Sequence, residues 1–323
     1  MALEVLNPGM LTSVQDLGRS GFQQFGIPAG GAMDRFALRV GNLLVGNAEG
    51  EAGLEITVTG PRLGALRDMV VALTGADLSP EVNGKPVPMW QSFLLQEGSV
   101  LAFGRRKQGC RAYLTVAGGI EVPMVMGSKS TLLKGKTGGF QGRALLKNDL
   151  IPVGLMQRDQ TTESDSRIGG THHLPGEMVP QYGGAVLLRV VLGPQEEYFT
   201  REAVETFLTK SYTVTPRSDR MGYCLEGPVL VHQRGADIVS DAVPFGGIQV
   251  PAAGKPIILM ADRQTTGGYT KLATVISADL PKVAQLFPGD SVGFRAVSVE
   301  DAQLIARREE AIINQLKGFN QNL

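Results

Sequence analysis

Glycine and proline punctuate this chain too densely for a bundle of long helices. There are 42 Gly and 18 Pro among 323 residues, and the apolar runs between them are only five to eight residues long. Runs of that length, bounded by Gly, Pro or Asn and rich in Val, Ile, Leu and Thr, read as strands. Strands are therefore expected at Val70 to Thr74, Ser92 to Leu95, Val100 to Phe103 and Tyr113 to Ala117 in the first half. In the second half they are expected at Val186 to Leu192, Val229 to Val231, Gly247 to Val250, Ile257 to Met260, Ala273 to Ile276 and Ser291 to Ala296. Asn83-Gly84 is the dipeptide that a two-residue type I′ hairpin turn favours. Such spacing suits barrels or sandwiches rather than alternating βαβ units.

The few helices announce themselves by apolar stripes and caps. Phe36, Ala37, Val40, Leu43 and Leu44 recur at helical spacing behind Asp34 as N-cap, with Gly46 at the end. A second helix follows Thr200 with Ala203, Val204, Phe207 and Leu208 inward, and a third runs from about Leu280 to Phe287, before Pro288. In the tail, Ser298 and Asp301 stand at capping-box spacing ahead of a stripe of Ile305, Ile312, Ile313 and Leu316.

Between the halves lies a polar stretch, residues 158–177, nearly devoid of aliphatics and too poor in apolar surface to fold by itself. The expected organisation is an N-terminal domain over 1–157, a linker or mobile loop over 158–183, a C-terminal domain over 184–297 and a closing helix over 298–323. Leu146 to Ile151 and Phe287 to Val292 echo each other weakly, each reading as a turn that launches a final strand.

Charge narrows the partners. Lys+Arg and Asp+Glu are both 31, so no net field favours nucleic acid or an anionic membrane, and recognition has to be local. Two cysteines, Cys110 and Cys224, form no CxxC pair, which fits a reducing, cytoplasmic setting. The opening residues lack a basic region followed by an apolar one, and no run of eighteen apolar residues occurs; neither export nor membrane insertion is expected.

Familiar cofactor motifs are missing. Lys134-Gly135-Lys136-Thr137 imitates the end of a phosphate-binding loop, but Ser130 stands where the first glycine belongs and no parallel-sheet pattern surrounds it. His172 and His173 fall in the linker and His232 stands alone, so no metal site is expected. The strongest chemical signal is ADRQTTGGYTK, residues 261–271. After an apolar run it gathers Asp262, Arg263, Gln264, Thr265 and Thr266, and then Gly267-Gly268, which let backbone approach a ligand, and Tyr269. Asp219-Arg220 and Asp34-Arg35 repeat the acid-guanidinium theme beside glycines. Each alone also reads as a loop held by local Asp-Arg pairing; together they suit a small polar ligand with carbonyl, amide or carboxylate groups.

Four blocks carry a resemblance: residues 9–47, YLTVAGGIEVPMVMGSKST, SDRMGYCLEG and IQVPAAGKPIILMADRQTTGGYTKLATVISADL. They resemble the allophanate hydrolase subunit 2 family, whose members include the C subunit of 5-oxoprolinase, the KipA type and part of the carboxyltransferase domain of urea carboxylase. Cys224 departs from the pattern, since Arg usually follows MGY. The resemblance implies a mainly β fold of two cyclophilin-like β-barrel domains with a few short helices and a C-terminal helix. It implies a component that works with the KipI-like B subunit and the A subunit of 5-oxoprolinase to open the lactam of 5-oxoproline to glutamate, with ATP as co-substrate and neither bound metal nor covalent biotin.

In such a site Asp262, Arg263 and Asp219 are expected to act catalytically. Gln264, Thr265, Thr266, Gly267, Gly268, Tyr269, Arg220, Asp34 and Arg35 are expected to bind a small polar amide substrate. Two alternatives follow from the same resemblance. One is a biotin-dependent carboxyltransferase component acting on urea or a similar amide; the other is a regulatory protein that sequesters a KipI-like kinase inhibitor.

Overall fold

Short β-branched runs alternating with turn residues yield twenty strands and four α-helices among the described residues. The structure, a computed structural model, describes residues 2–154 and 172–321. Two compact units emerge, and neither is one continuous stretch. The first comprises Met1–Arg19, Asp34–Gln181 and Ile313–Leu323; the second comprises Ser20–Met33 and Tyr182–Ile312.

The first unit holds β1 (Leu3–Asn7), β2 (Leu11–Gln15), α1 (Arg35–Leu44), β3 (Gly53–Thr57), β4 (Arg62–Ala65), β5 (Met69–Asp77), β6 (Pro80–Val82), β7 (Lys85–Pro86), β8 (Gln91–Leu95), β9 (Val100–Phe103), β10 (Gln108–Val116) and β11 (Leu150–Ile151). These strands pair into a six-stranded sheet, β11-β1-β4-β9-β6-β7, and a five-stranded sheet, β2-β3-β10-β5-β8. Leu3, Val5, Leu63 and Leu101 from the first sheet and Leu54, Ile56, Leu73 and Leu114 from the second meet in one core. Each such side chain contributes about 1.5–3 kcal/mol by leaving water. The Asn83-Gly84 turn joins β6 to β7 with φ of 50° and 77°, the geometry of a type I′ hairpin. Asp34 caps α1, its carboxylate accepting from the Ala37 amide at 2.9 Å. Gly41 lets α1 settle on the five-stranded sheet, since a Cβ there would lie 3.0 Å from Thr74 and Thr115.

The second unit holds β12 (Val186–Leu192), α2 (Arg201–Thr209), β13 (Tyr212–Val214), β14 (Gly222–Glu226), β15 (Asp237–Ala242), β16 (Gly247–Gln249), β17 (Ile257–Leu259), β18 (Thr266–Tyr269), β19 (Lys271–Val275), α3 (Leu280–Ala284) and β20 (Ser291–Ala296). Seven strands close a barrel in the order β12-β19-β16-β17-β14-β13-β20, and β15 with β18 makes a separate two-stranded sheet. The barrel closes by a parallel pairing of β12 with β20. Its core includes Leu188, Val190, Tyr223, Ile248, Ile258 and Phe294, together with Met33 from the Ser20–Met33 segment. Thr200 caps α2 and Phe207 stacks on Phe294 with ring centroids 4.2 Å apart. The final helix, α4 (Val299–Gln321), begins where the Asp301 amide donates to Ser298 Oγ at 3.0 Å.

The weak internal echo is a real turn in both places. The Leu146 amide donates to Asp149 Oδ2 at 2.7 Å and the Phe287 amide to Asp290 Oδ2 at 2.8 Å. Asn148 and Gly289 adopt positive φ, and β11 and β20 follow.

Three expectations need correction. The third helix stops at Ala284, three residues short of Phe287, as the chain turns with Gln285 and Leu286 amides bonding back to Lys282 and Val283. Val229 to Val231 is not a strand. Leu230 bonds Gly254 and the Val231 carbonyl accepts from Thr200, so no ladder with one neighbour forms. The expected linker ends earlier than 183: His173 bridges Gln91, the His172 carbonyl accepts from Ser92, and Leu174 is buried in the first unit. Residues 158–171 of that linker lie outside the described residues.

Candidate ligand site of the second unit

Leaving the barrel after β17, the chain runs beside the loop that precedes β14. The Met260 amide donates to the Met221 carbonyl and the Asp262 amide to the Arg220 carbonyl, while the Gly30 amide donates to the Ala261 carbonyl. This backbone pairing sets Arg220 and Asp262 face to face. Arg220 Nε and Nη2 each lie 2.9 Å from a different Asp262 oxygen, and Nη2 also donates to the Gly31 carbonyl at 2.7 Å. Both side chains are only 5 % exposed. A bidentate pair withdrawn from water this far fixes orientation strongly.

Residues of the acid-guanidinium dipeptides find partners outside their own pair. Asp219 accepts from the Met221 and Gly222 amides, closing its own turn. Arg263 turns from Asp262 to donate to the Val243 and Met260 carbonyls, and lies over the Phe245 ring at 5.3 Å. Asp34 serves α1, and Tyr113 Oη accepts from its amide at 2.8 Å while donating to Glu55 at 2.7 Å. Burial, together with the Glu55 and Asp34 carboxylates, holds the Tyr113 phenol well above its ordinary range. Burial lowers the Arg35 pKa and Asp16 opposes that shift. Asp34 and Arg35 belong to the first unit, whereas Asp219, Arg220 and residues 262–269 belong to the second.

Beyond Arg263 the chain enters the two-stranded sheet. Gln264 Nε2 donates to Gln249 Oε1 at 3.2 Å, the Thr265 carbonyl accepts from the Val243 amide, and Thr266 to Tyr269 form β18. Gly267 pairs with Asp241 and has no room for a side chain, since a Cβ would fall 2.5 Å from Gln249 Nε2. Gly268 is less crowded, its nearest neighbour, the Ile238 carbonyl, lying 3.4 Å from an added Cβ.

Gln249, Lys271 and Asp241 join this cluster although no sequence motif marks them. Gln249 alternates with the core residues Ile248 and Val250, so its side chain leaves the barrel on the outer face. Polar residues on an outer face normally meet water, yet Gln249 is 2 % exposed because β18 lies over it. Lys271, directly opposite Gln249 in the β16–β19 register, is also buried, with its ammonium 3.1 Å from Asp241 Oδ2. That pairing, with the Ala242 amide, lowers the Asp241 pKa.

Other candidates have plain structural roles. His232 Nε2 lies 3.1 Å from both the Val250 carbonyl and Thr270 Oγ1, its ring against Phe199, and burial lowers its pKa. Cys224 is half-buried in β14, and burial raises its thiol pKa. Lys134 to Thr137 forms a turn closed by reciprocal backbone bonds between Leu132 and Thr137. Among the described residues, no three His, Cys, Asp or Glu side chains gather as a metal site would require, and no helix is long and apolar enough to cross a membrane.

Comparison with known proteins adds identity to this geometry. Residues 25–296 match the carboxyltransferase domain, subdomain A and B. The chain is 36% identical over 319 residues to the C subunit of 5-oxoprolinase from Haemophilus influenzae, covering 98% of this chain and 97% of that protein. It is 37% identical over 314 residues to the Escherichia coli protein of the same name, covering 97% of each. Among solved structures, Kluyveromyces lactis urea carboxylase superposes with a TM-score of 0.88 at 30% identity, over 98% of this chain and 29% of that one.

Proposed function

The chain belongs to the carboxyltransferase family, subdomains A and B, and from that premise we propose that it is the C subunit of an ATP-dependent 5-oxoprolinase. The observation that carries the reading is near-complete coverage at both ends of the alignment by two bacterial proteins of that name. The proposed reaction cleaves the lactam of 5-oxoproline to L-glutamate, in company with the A and B subunits. A lactam is a stable amide, and ATP would supply the activation: its γ-phosphoryl group passes to the carbonyl oxygen and ADP leaves. Water adds to that carbon, the C–N bond breaks as the nitrogen takes a proton, and a second water hydrolyses the resulting acyl phosphate to glutamate and inorganic phosphate.

The segment around Asp262 is the proposed substrate site. The Arg220–Asp262 pair fixes the loop, so Asp262 is proposed to position its neighbours rather than to carry a mobile proton. Gln264 is half-buried, already oriented by Gln249, and sits where β18 begins. An amide side chain held this way both donates and accepts, which matches the paired N–H and C=O of a lactam. Arg263, over Phe245, is proposed to hold the backbone turn that presents Gln264.

The test is 5-oxoproline-dependent release of glutamate and inorganic phosphate by the chain reconstituted with the A and B subunits. Gln264→Ala is expected to lower kcat/KM by about tenfold or more, the usual effect of losing one substrate hydrogen bond in a desolvated site. An unchanged kcat/KM removes Gln264 from the site. The family match and the likeness to urea carboxylase favour a second reading, transfer of carbon dioxide from carboxybiotin to urea or a similar amide. Consumption of carboxybiotin with urea, and no turnover of 5-oxoproline, would select it.

A further inference from the structure

Beneath β18 lie two buried donors whose hydrogen-bonding capacity the protein uses only in part. Gln249 Oε1 is satisfied by Gln264, but its Nε2 has no acceptor among the described residues. Lys271 Nζ has one partner, the half-exposed Asp241 carboxylate at 3.1 Å, and no further acceptor among the described residues. A buried amide N–H without a partner costs free energy, and buried ammonium groups are ordinarily fully engaged. The two residues are paired in the β16–β19 ladder, at a bulge that follows Ile248. Gly267 lies against Gln249 Nε2, and its partner across the small sheet is Asp241, the residue that reaches Lys271. The four residues thus form one packed cluster, with the Asp241 carboxylate beside the Lys271 ammonium.

We infer that Gln249 and Lys271 form a subsite for the carboxylate of a small organic acid, which accepts from the Gln249 amide and pairs with the Lys271 ammonium. Asp241 is the protein's own stand-in for that carboxylate. It sits on the two-stranded sheet, its side chain is 53 % exposed, and it is free to swing into water when a ligand takes its place. The charge balance selects a monoanion. One ammonium faces one incoming carboxylate, whereas a phosphate dianion would bring a second negative charge beside Asp241.

Gly267 bounds the subsite on one side, since an added Cβ there would fall 2.5 Å from Gln249 Nε2. Choosing 5-oxoproline as the acid rests on the 5-oxoprolinase reading above; recognition of a carboxylate by these two donors does not.

The experiment is calorimetric titration of the full-length chain with 5-oxo-L-proline and with its carboxamide, which lacks the charge. The wild-type chain is expected to bind the acid about tenfold or more tightly than the carboxamide. Lys271→Met removes that preference, Lys271→Arg restores part of it, and Gln249→Met weakens the acid by about tenfold. Asp241→Asn strengthens binding of the acid, since a competing carboxylate is gone. A purely structural Lys271–Asp241 pair would give the opposite sign. Thermal melts of each variant identify any that fail to fold, and Asp241→Asn, on an exposed side chain, keeps the test available if Lys271→Met is one of them.

Equal affinity for acid and carboxamide, no saturable binding of either, or a preference that survives in Lys271→Met would overturn the subsite. Turnover by the reconstituted complex separates the two ideas. Turnover without dependence on Lys271 sinks the subsite and leaves the 5-oxoprolinase reading standing. Lys271-dependent binding of the acid without turnover does the reverse.

Discussion

Arg220 and Asp262 show how far residue chemistry can be read before partners are known. The residue types flagged both positions, but the turns that carry them aim each side chain at a partner outside its own dipeptide. Arg220 found its partner 42 residues away, a choice made by the packing of two loops and invisible to spacing. Removing the guanidinium would strand a carboxylate that is only 5 % exposed. Arg220→Met is therefore expected to destabilise the protein by about 3–5 kcal/mol, and the double variant Arg220→Met/Asp262→Leu to regain most of that loss. Urea denaturation midpoints measure both; a single-variant cost under about 1 kcal/mol would mean the pair does not hold the loop. Gln249 was harder to see. Its place between Ile248 and Val250 marks an outward side chain, and only the tertiary cover supplied by β18 turns that polar surface position into a buried one.

Elements were legible where local chemistry decides them. The Asn83-Gly84 hairpin, the Asp34 and Thr200 caps and the Ser298 start of α4 all formed as their residues dictate. Legibility failed at Val229 to Val231, a good strand sequence whose backbone bonds go singly to different neighbours. His232 anchors the end of this segment, bonding through Nε2 to the Val250 carbonyl and packing on Phe199. Burial depresses its pKa below the ordinary 6.5, with the Val250 hydrogen bond and Asp237 opposing the shift. The neutral ring is thus the one the fold prefers. Its contribution is fully present above pH 6.5 and is lost as pH falls through the depressed folded value. Stability should decline as pH falls below about 6.5, and His232→Gln should show a smaller decline over that range. Equal declines in the two proteins would exclude His232 as the titrating group.

At the scale of the whole molecule, a linear division fitted the chain less well than its composition suggested. The polar stretch near residue 158 is the obvious boundary in the sequence, yet the second unit also takes in Ser20–Met33. That segment places Met33 in the barrel unit's core, offers the Gly31 carbonyl to Arg220 and bonds the Ala261 carbonyl through Gly30. No local signal announces such a role, because the segment reads as a glycine-rich loop wherever it goes. A fragment of residues 184–323 is expected to lack a cooperative thermal transition, and adding a peptide of residues 20–33 should restore one if the missing contacts are the cause. A fragment that melts cooperatively without the peptide would show the barrel to be self-sufficient. The borrowed segment also bears on inheritance. A genetic crossover anywhere between codons 34 and 181 would join one parent's barrel to the other parent's residues 20–33, so the two halves are poor cassettes for exchange and are best passed on, fused or swapped as a single gene.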